Sequence, residues 1–581
     1  MNAAEIADIF EEIAFLLELG GENQFKIRAF ANATRLLRAA EGDFVLFIEN
    51  IRNGKVKGFG PQLSEYVLTL AQTGTLPYFE QLKSEIPPGV LELFQLPGLG
   101  AKKIKILREH LQIENIADLK KACKQKAILE IPGFGEKTVQ NLLAAITRHE
   151  VYRVQLRIDT AETAAQELCT YLQRHKSCVS VEPAGPLRRK NETVSSIELL
   201  AVSEAQPELV EAFVRAPGIK PITAQNTEGP AASGELAGGA AVHLVVAAPQ
   251  SYAAALLRWT GSESHYHALA AHATSQGLEL RENGLYFGNE RIDTQSEAAL
   301  YNRLGLAYIE PELREGRGEI EVAAEQWRLG SKDLPPLITE KDLTGVLHVH
   351  TSYSDGTNSL EEMAWGAKRL GFHYLGIADH SQSARYAGGL SPDAIRRQHE
   401  DIDRLNEKFA PFRIFKGIES DILADGTLDY SDEILASFDF VLASVHSQTS
   451  MPKRDMTKRV ITALENPRTT ILGHPTGRLL LKREAYEIDL DAVLEAAAHF
   501  GVAVELNANP RRLDLDWRFH QRARELGILI PICPDAHSVD GYSCLRYGIS
   551  IARKGGLEKR HVLNTWNLSE VEEFFSRRRS K

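Results

Sequence analysis

Val346-Leu347-His348-Val349-His350 reads as a short apolar strand that ends in imidazoles, and the turn Ser352-Tyr353-Ser354-Asp355-Gly356 follows it directly. The same design recurs as far as His537. It is seen in Tyr374-Leu375-Gly376-Ile377-Ala378-Asp379-His380, Ile414-Phe415-Lys416-Gly417-Ile418-Glu419, Phe440-Val441-Leu442-Ala443-Ser444-Val445-His446 and Thr470-Ile471-Leu472-Gly473-His474. Val502-Ala503-Val504-Glu505-Leu506-Asn507 ends in polar side chains, and Ile528-Leu529-Ile530-Pro531-Ile532-Cys533-Pro534-Asp535-Ala536-His537 closes the series. Between these runs, Leu360 to Leu370, Asp455 to Glu465, Leu490 to Phe500 and Arg518 to Leu526 have helical spacing, so β and α alternate. That order predicts parallel strands in a barrel, whose functional residues gather at the C-terminal strand ends. His348, His350, Asp355, His380, Glu419, His446, His474, Asp535 and His537 then converge on one rim. A lone histidine at a strand end is commonly a hydrogen-bonded structural residue, and it is the recurrence that points to metal. Nitrogen and carboxylate sites fill with roughly three to six donors, so this set implies two or three divalent metals.

The motifs His348-Val349-His350, Ala378-Asp379-His380, Glu419, Ser444-Val445-His446, Gly473-His474-Pro475 and Pro534-Asp535-Ala536-His537 resemble the PHP (polymerase and histidinol phosphatase) family, from Lys341 to the C-terminus. The resemblance implies a distorted (β/α)7 barrel with metal-dependent phosphoesterase chemistry. It would place one metal on His348, His350, Glu419 and Asp535, a second on Asp355, His380 and His537, and a third on Glu419, His446 and His474, with Glu419 bridging. Mixed imidazole and carboxylate ligation suits manganese or zinc, with iron possible, rather than magnesium. Arg478, just after Gly473-His474-Pro475-Thr476-Gly477, is a candidate phosphate contact, although a surface arginine fits the same position.

With 581 residues the chain is too long for one core, and its 25% charged content indicates a globular protein. No apolar run is long enough to cross a bilayer, and Met1-Asn2-Ala3-Ala4-Glu5 has no basic segment leading into an apolar one, so a cytoplasmic location and no membrane association are expected. Cys123, Cys169, Cys178, Cys533 and Cys544 form no CxxC pair, which argues against disulfides and thiolate zinc sites. A net charge of −11 argues mildly against a nucleic-acid binder, but local charge matters more.

The N-terminal part is helical by period, with Ile6, Ile9, Phe10, Ile13, Ala14, Leu16 and Leu17 on one face. Three motifs of one design follow: Val56-Lys57-Gly58-Phe59-Gly60-Pro61, Leu96-Pro97-Gly98-Leu99-Gly100-Ala101-Lys102-Lys103 and Ile131-Pro132-Gly133-Phe134-Gly135-Glu136-Lys137-Thr138. A tight glycine turn opening into a helix lets backbone N–H groups face a phosphate oxygen. The motifs resemble helix-hairpin-helix units, which grip a DNA backbone without reading its sequence. Gly58, Gly60, Gly98, Gly100, Lys102, Lys103, Gly133, Gly135 and Lys137 are the candidate DNA contacts. Lys105, Arg108, Lys120, Lys121, Lys124 and Lys126 add the local positive charge that the total lacks.

From Gly185 the chain reads Gly-Pro-Leu-Arg-Arg-Lys up to Lys190, then a strand with Ser196-Ile197-Glu198. With Arg258-Trp259-Thr260-Gly261-Ser262 and Tyr308 to Ile320, this frame resembles the nucleotidyltransferase of family X DNA polymerases, and nearly the whole chain is similar to bacterial and archaeal members that carry a PHP domain. The resemblance implies a helical region (1–88), a helix-hairpin-helix region (89–150), an α+β palm (151–248), a thumb (249–330), a linker (331–343) and the PHP barrel (344–581). It also implies gapped or 3′-ended DNA as partner; no protein partner can be read. Where the family has Asp-x-Asp this chain has Ser196 and Glu198, and at the third carboxylate place it has His243. Two magnesium ions need hard oxygen ligands close together, so magnesium is not expected at this palm. Pro186 replaces the phosphate-binding serine, and an insertion-like run, Glu228 to Gly234, lies nearby. Tyr66 stands where some relatives have a Schiff-base lysine, and a phenol forms no imine. The leading expectation is a 3′-5′ exonuclease or phosphoesterase in DNA repair with polymerase activity lost. The alternatives are an active polymerase with unusual ligands and a non-catalytic DNA-binding scaffold.

Overall fold

The computed structural model describes residues 3–39, 44–56, 58–96, 98–222 and 231–579. Lys57, Pro97 and Glu228-Gly229-Pro230 lie outside them. The chain divides into two compact units, Met1–Arg153 and Val154–Lys581.

The first unit is built of helices. Ala3–Leu19 and Gln24–Ala39 pair through their apolar stripes, with the Phe10 and Phe30 rings edge to face at 5.3 Å. Each glycine motif then joins two helical segments. Phe44–Arg52 leads to Pro61–Thr73, Gly89–Phe94 to Ala101–Leu111, and the short turn Ala127–Glu130 to Glu136–Tyr152. Gly58, Gly98 and Gly133 have φ of 100°, 87° and 93°, which a side chain would strain, while Gly60, Gly100 and Gly135 are extended N-caps.

The second unit begins with a five-stranded sheet in the order Ser180–Pro183, Ser196–Val202, Ala241–Ala247, Ala231–Leu236, Ile219–Ile222. Ser196–Val202 and Ala241–Ala247 are parallel, and the other neighbours are antiparallel. The described end of the insertion-like run is therefore not a loop, because Ala231 to Gly234 pair with Ala241–Ala247, and Ser233 and Gly234 pair with Ile219–Ile222 as well. Helices Tyr252–Thr260, Glu263–Ser275, Glu297–Arg303 and Glu319–Arg328 follow, with a small antiparallel sheet between the second and third. Within the segment 331–343, Ile338 is fully buried and its N–H donates to Leu557 O at 2.9 Å, which anchors the segment on the barrel.

The C-terminal part is a ring of parallel strands at seven positions: Gly345–Val349, Tyr374–Ile377, Arg413–Phe415 continuing as Gly417–Asp421, Phe440–Ser444, Thr469–Leu472, Ala503–Val504 continuing as Leu506–Asn507, and Ile532–Cys533. Parallel bridges His380–Glu419 and Val349–Ala536 close it. The breaks at Lys416 and Glu505 distort the barrel and let ring order survive with short ladders. Helices Leu360–Arg369, Lys453–Glu465 and Leu490–Phe500 lie where spacing places them, whereas Arg518 to Leu526 splits into a 3-10 turn and His520–Glu525. The longest helix of the barrel, Pro392–Phe409, was not singled out by spacing. Ser391 caps it at Ala394 N, and Pro392 sits at its first position.

Sheet domain and barrel share one apolar core and a charged junction. Glu192, 6% exposed, accepts from Trp517 Nε1 at 3.2 Å and Arg518 NH1 at 3.1 Å, and lies 3.6 Å from Arg478 NH2. Lys554, 3% exposed, donates to Arg189 O and pairs with Glu315, which also holds Arg189. Removing one member of such a junction leaves buried charge unpaired. Glu192→Ala is expected to lower the stability of the full-length protein by about 3 kcal/mol, read from the midpoint of equilibrium urea unfolding. An unchanged midpoint would show that the junction carries none of the stability.

Candidate metal centre

Glu419, the middle residue of the strand Gly417–Asp421 and 1% exposed, is the hub. Its Oε1 lies 2.9 Å from His474 Nε2, 3.2 Å from His446 Nε2 and 3.5 Å from His348 Nε2; its Oε2 lies 2.9 Å from His380 Nδ1 and 3.7 Å from His350 Nε2. Asp535 Oδ1 sits 3.1 Å from His350 Nε2, and Asp355 faces His380 and His537 at 3.6 and 3.4 Å. The nine side chains thus come together on one rim. Their closest donor groups are His348, His350 and Asp535; His350, Asp355, His380 and His537; and His380, Glu419 and His446. This grouping differs from the one the resemblance implies: Glu419 is absent from the His348 set, His350 also joins the Asp355 set, and His380 stands in place of His474 beside Glu419 and His446.

The donors suit cations rather than one another. His348 Nε2, both nitrogens of His350, His380 Nδ1 and His474 Nδ1 are buried without a hydrogen-bond partner among the described residues. His380 Nδ1 is 2.9 Å from a Glu419 oxygen and yet makes no hydrogen bond with it, as atoms aimed at a common third point do. Buried polar groups are almost always paired, so such a concentration of orphans fits a bound ion. Burial holds the His350 imidazole down to about 3, which keeps it neutral with a lone pair to donate. Burial opposes charge on Glu419, but His446, His348 and His380 outweigh it and hold the carboxyl well below the usual range. Burial also opposes charge on His446, yet Glu419 and Asp421 push it up to about 10. His348, His474 and Asp535 have φ of 57°, 20° and 51°, rare for residues with a Cβ and typical of functional sites.

A further layer was missed by reading strand ends alone. Glu505, fully buried, pairs with His348 Nδ1 at 2.5 Å and accepts from His474 N at 2.5 Å. Asp421 pairs with His446 Nδ1 at 2.6 Å, and Asn507 donates to Asp535 Oδ2 at 3.1 Å. The contacts to His348, His446 and Asp535 occupy the far side of a donor and turn its other atom inward, while the one to His474 N fixes the backbone. Asp379 accepts from Thr351 N, Thr351 Oγ1, Ser354 Oγ and Gln398 Nε2, and so pins the turn that carries Asp355. A carboxylate inside an apolar strand, as in Val504-Glu505-Leu506, was the available signal.

The Arg478 guanidinium is taken up by Asp516 at 2.6 Å, by Arg512 O at 2.9 Å and by Leu513 O, so it braces the loop that carries Arg512. Arg512 is the arginine at the site, with Nε 3.7 Å from Asp535 Oδ2.

In the first unit, a Cβ built on Gly60, Gly98, Gly100, Gly133 or Gly135 meets nothing within 4 Å, so these turns are open to close approach, whereas Gly58 faces Leu36 at 3.2 Å. Lys102 and Lys137 are exposed and Lys103 donates to Gly98 O at 2.9 Å. Tyr66 accepts from Gln62 Nε2 at 2.9 Å and stacks on Tyr78 at 5.3 Å. In the five-stranded sheet, Ser196 Oγ donates to Glu198 Oε1 at 2.5 Å and His243 pairs with Ser233 at 2.9 Å. Glu198 Oε2 is buried without a hydrogen-bond partner among the described residues, against Gly185, where an added Cβ would lie 2.3 Å from it.

Because Glu505 orients His348 without being a candidate donor itself, Glu505→Ala is expected to weaken metal affinity about 10- to 100-fold, measured by chelator competition on the folded protein. Unaltered affinity would leave Glu505 a packing residue only.

Family models match the chain in four places: a helix-hairpin-helix domain over residues 1–76, a SAM-like helix-hairpin-helix tandem over 90–148, a DNA polymerase beta thumb over 255–315 and a PHP domain over 347–509. The chain is 34% identical to the DNA polymerase/3′-5′ exonuclease PolX of Bacillus subtilis over 588 residues, covering 99% of this chain and 100% of that one. A probable phosphatase of Syntrophotalea carbinolica is 32% identical over 236 residues, 38% of this chain and 90% of its own. A probable phosphatase of a Thermoanaerobacter species is 28% identical over 246 residues, 40% of this chain and 95% of its own. A solved Leishmania infantum polymerase beta complex aligns at 17% identity over 39% of this chain and 99% of its own, with a TM-score of 0.26, too low to bear on the fold. PHP domains are metal-dependent, and the His, Asp and Glu clusters of the barrel accord with that. No helix among the described residues is long and apolar enough to cross a membrane. With a full-length relative at that identity, the chain belongs to the family X DNA polymerases that carry a C-terminal PHP domain.

Proposed function

We propose that the protein is a metal-dependent phosphodiesterase that removes nucleotides from DNA 3′ ends, and that its polymerase activity is lost. The observation that carries this reading is the contrast between two centres of one chain. At the barrel rim, buried nitrogens of His348, His350 and His380 that have no hydrogen-bond partner among the described residues face Glu419. In the sheet domain, the positions of the polymerase carboxylates hold Ser196, which spends its hydroxyl on Glu198, and His243, which is engaged with Ser233. A neutral hydroxyl and an imidazole cannot neutralise two magnesium ions as aspartates do. Glu198 moreover rests on Gly185, beside Pro186, where the family binds phosphate.

The nine donors His348, His350, Asp355, His380, Glu419, His446, His474, Asp535 and His537 would hold two or three cations, and their mixture favours manganese or zinc, with iron possible. When bound, such ions supply Lewis acidity to a phosphate and acidify a water. The chain's own part is positional. Glu505 and Asp421 fix the imidazoles that turn toward Glu419, and Arg512 offers a cation for a phosphate oxygen where Arg478 does not. The open glycine turns of the first unit, with Lys102, Lys103 and Lys137, are the proposed DNA-backbone contacts. The division into helical, hairpin, palm, thumb and barrel segments read from sequence is retained as part of this proposal. The name of the Bacillus relative carries both activities, and the altered sheet centre favours the hydrolytic one here.

His348→Ala with His350→Ala is expected to reduce metal-dependent shortening of a 3′-ended primer to background. Circular dichroism and DNA binding of the full-length double variant should match the unmodified protein. Undiminished hydrolysis by the folded double variant would remove the barrel from the reaction.

A further inference from the structure

Beside the rim histidines stands an aromatic side chain that packs into no core. Tyr386 is 65% exposed, and its ring centroid lies 6.0 Å from His380 and 6.5 Å from His446. A single exposed aromatic is ordinary on a protein surface. This one differs in how firmly it is held and in what it faces. It sits in the 3-10 turn Arg385–Ala387, between Ala384 and Ala387, which are 0% and 3% exposed. Gly388 follows with φ of 69°, and a Cβ at Gly389 would lie 1.9 Å from Ser381 O.

The base of the loop is tied down on several sides. Gln382 N donates to Tyr430 Oη at 3.0 Å, Tyr430 Oη donates to Leu390 O at 2.5 Å, and Ser383 N donates to Asp429 at 2.5 Å. Ser383 Oγ donates at 2.8 Å to Asp421, the carboxylate that orients His446. The network that aims a metal-site imidazole therefore also presents the tyrosine ring. Arg512 is also at the rim, with Nε 3.7 Å from Asp535 Oδ2.

A rigid π face and a cation beside a metal centre match the parts of a nucleotide: a phosphate for the metals and the arginine, and a flat base for the ring. We infer that Tyr386 is the stacking face for the terminal base of the strand whose 3′ phosphodiester is cleaved, and that it makes the barrel select nucleic-acid ends over phosphate esters without a planar group. This rests on the phosphodiesterase reading above. Stacking is tolerant of sequence because every base has a π face, so Tyr386 selects for the presence of a base and not for its identity.

The test compares two primers in the manganese-loaded full-length protein, one ending in a normal nucleotide and one ending in a tetrahydrofuran abasic nucleotide. Tyr386→Ala should lower the kcat/KM ratio of base-bearing over abasic ends by about 5- to 150-fold, through KM, and Tyr386→Phe should keep the ratio. Independently of turnover, a primer ending in 2-aminopurine on a phosphorothioate linkage should lose fluorescence on binding the unmodified protein and keep it on binding Tyr386→Ala. A ratio and a quench that Tyr386→Ala leaves in place would overturn the assignment. No shortening of either primer by the unmodified protein would instead overturn the phosphodiesterase reading, a result no tyrosine substitution can imitate.

Discussion

A carboxylate enclosed by imidazoles is the constraint on which the barrel depends. Glu419 is 1% exposed and lies within 4 Å of five histidines, carried by four other strand ends. A buried charge of this kind is costly unless it is paired. The strands must therefore stay in ring order even where their ladders are as short as Ala503–Val504 or Ile532–Cys533. The break at Glu505 has the same origin, whereas at Lys416 the backbone N–H donates to Asp439 instead. Glu505 interrupts its strand to reach His348 and the backbone of His474, and the left-handed backbone at His348 and His474 places both on the rim. Distortion is thus the geometric consequence of collecting donors from strands at every side of the ring.

The sheet domain shows what happens where that demand is absent. Its strand register is intact, with Glu198 opposite His243, and its core is fully apolar beneath them. Ser196, Glu198 and His243 lie on its half-buried face, so their identities bear on the chemistry of that face and not on the core that holds the fold. The domain nevertheless remains tied to the barrel. Glu192 gathers Trp517, Arg518 and Arg478, and Arg478 in turn holds the backbone of Arg512 and Leu513. A domain that props the loop carrying Arg512 has a physical reason to be kept that does not require it to polymerise.

How much was legible in sequence follows from which interactions are local. The alternation of apolar runs and helical spacing, and the donors at strand ends, depend on periods of two and 3.6 and on the C-terminal rule for parallel barrels, so the ring and its rim could be read directly. The glycine turns were legible because only glycine takes the positive φ at positions 58, 98 and 133 without strain. Arg478 and Arg512 could not be told apart, because the choice is made by the loop between His474 and Trp517, whose course turns on the left-handed Leu513 and on Asp514 accepting from Thr476. Glu505 and Asp421 were hidden for a related reason: a carboxylate within a strand declares its partner only when a distant strand supplies the imidazole. The run before Gly234 looked like an insertion because Gly, Ala and Ser carry no strand signal, yet a strand can be set by its neighbours on both sides.

The proposed division of labour is hydrolysis at the barrel rim and loss of polymerisation at the sheet centre. It is tested most directly by incubating the full-length protein with a labelled primer-template, all four deoxynucleoside triphosphates and, in turn, manganese, zinc, iron or magnesium, and resolving the products by length. The account predicts products shorter than the primer and none longer under any metal. Template-dependent extension that persists after His348 and His350 are replaced by alanine would contradict it.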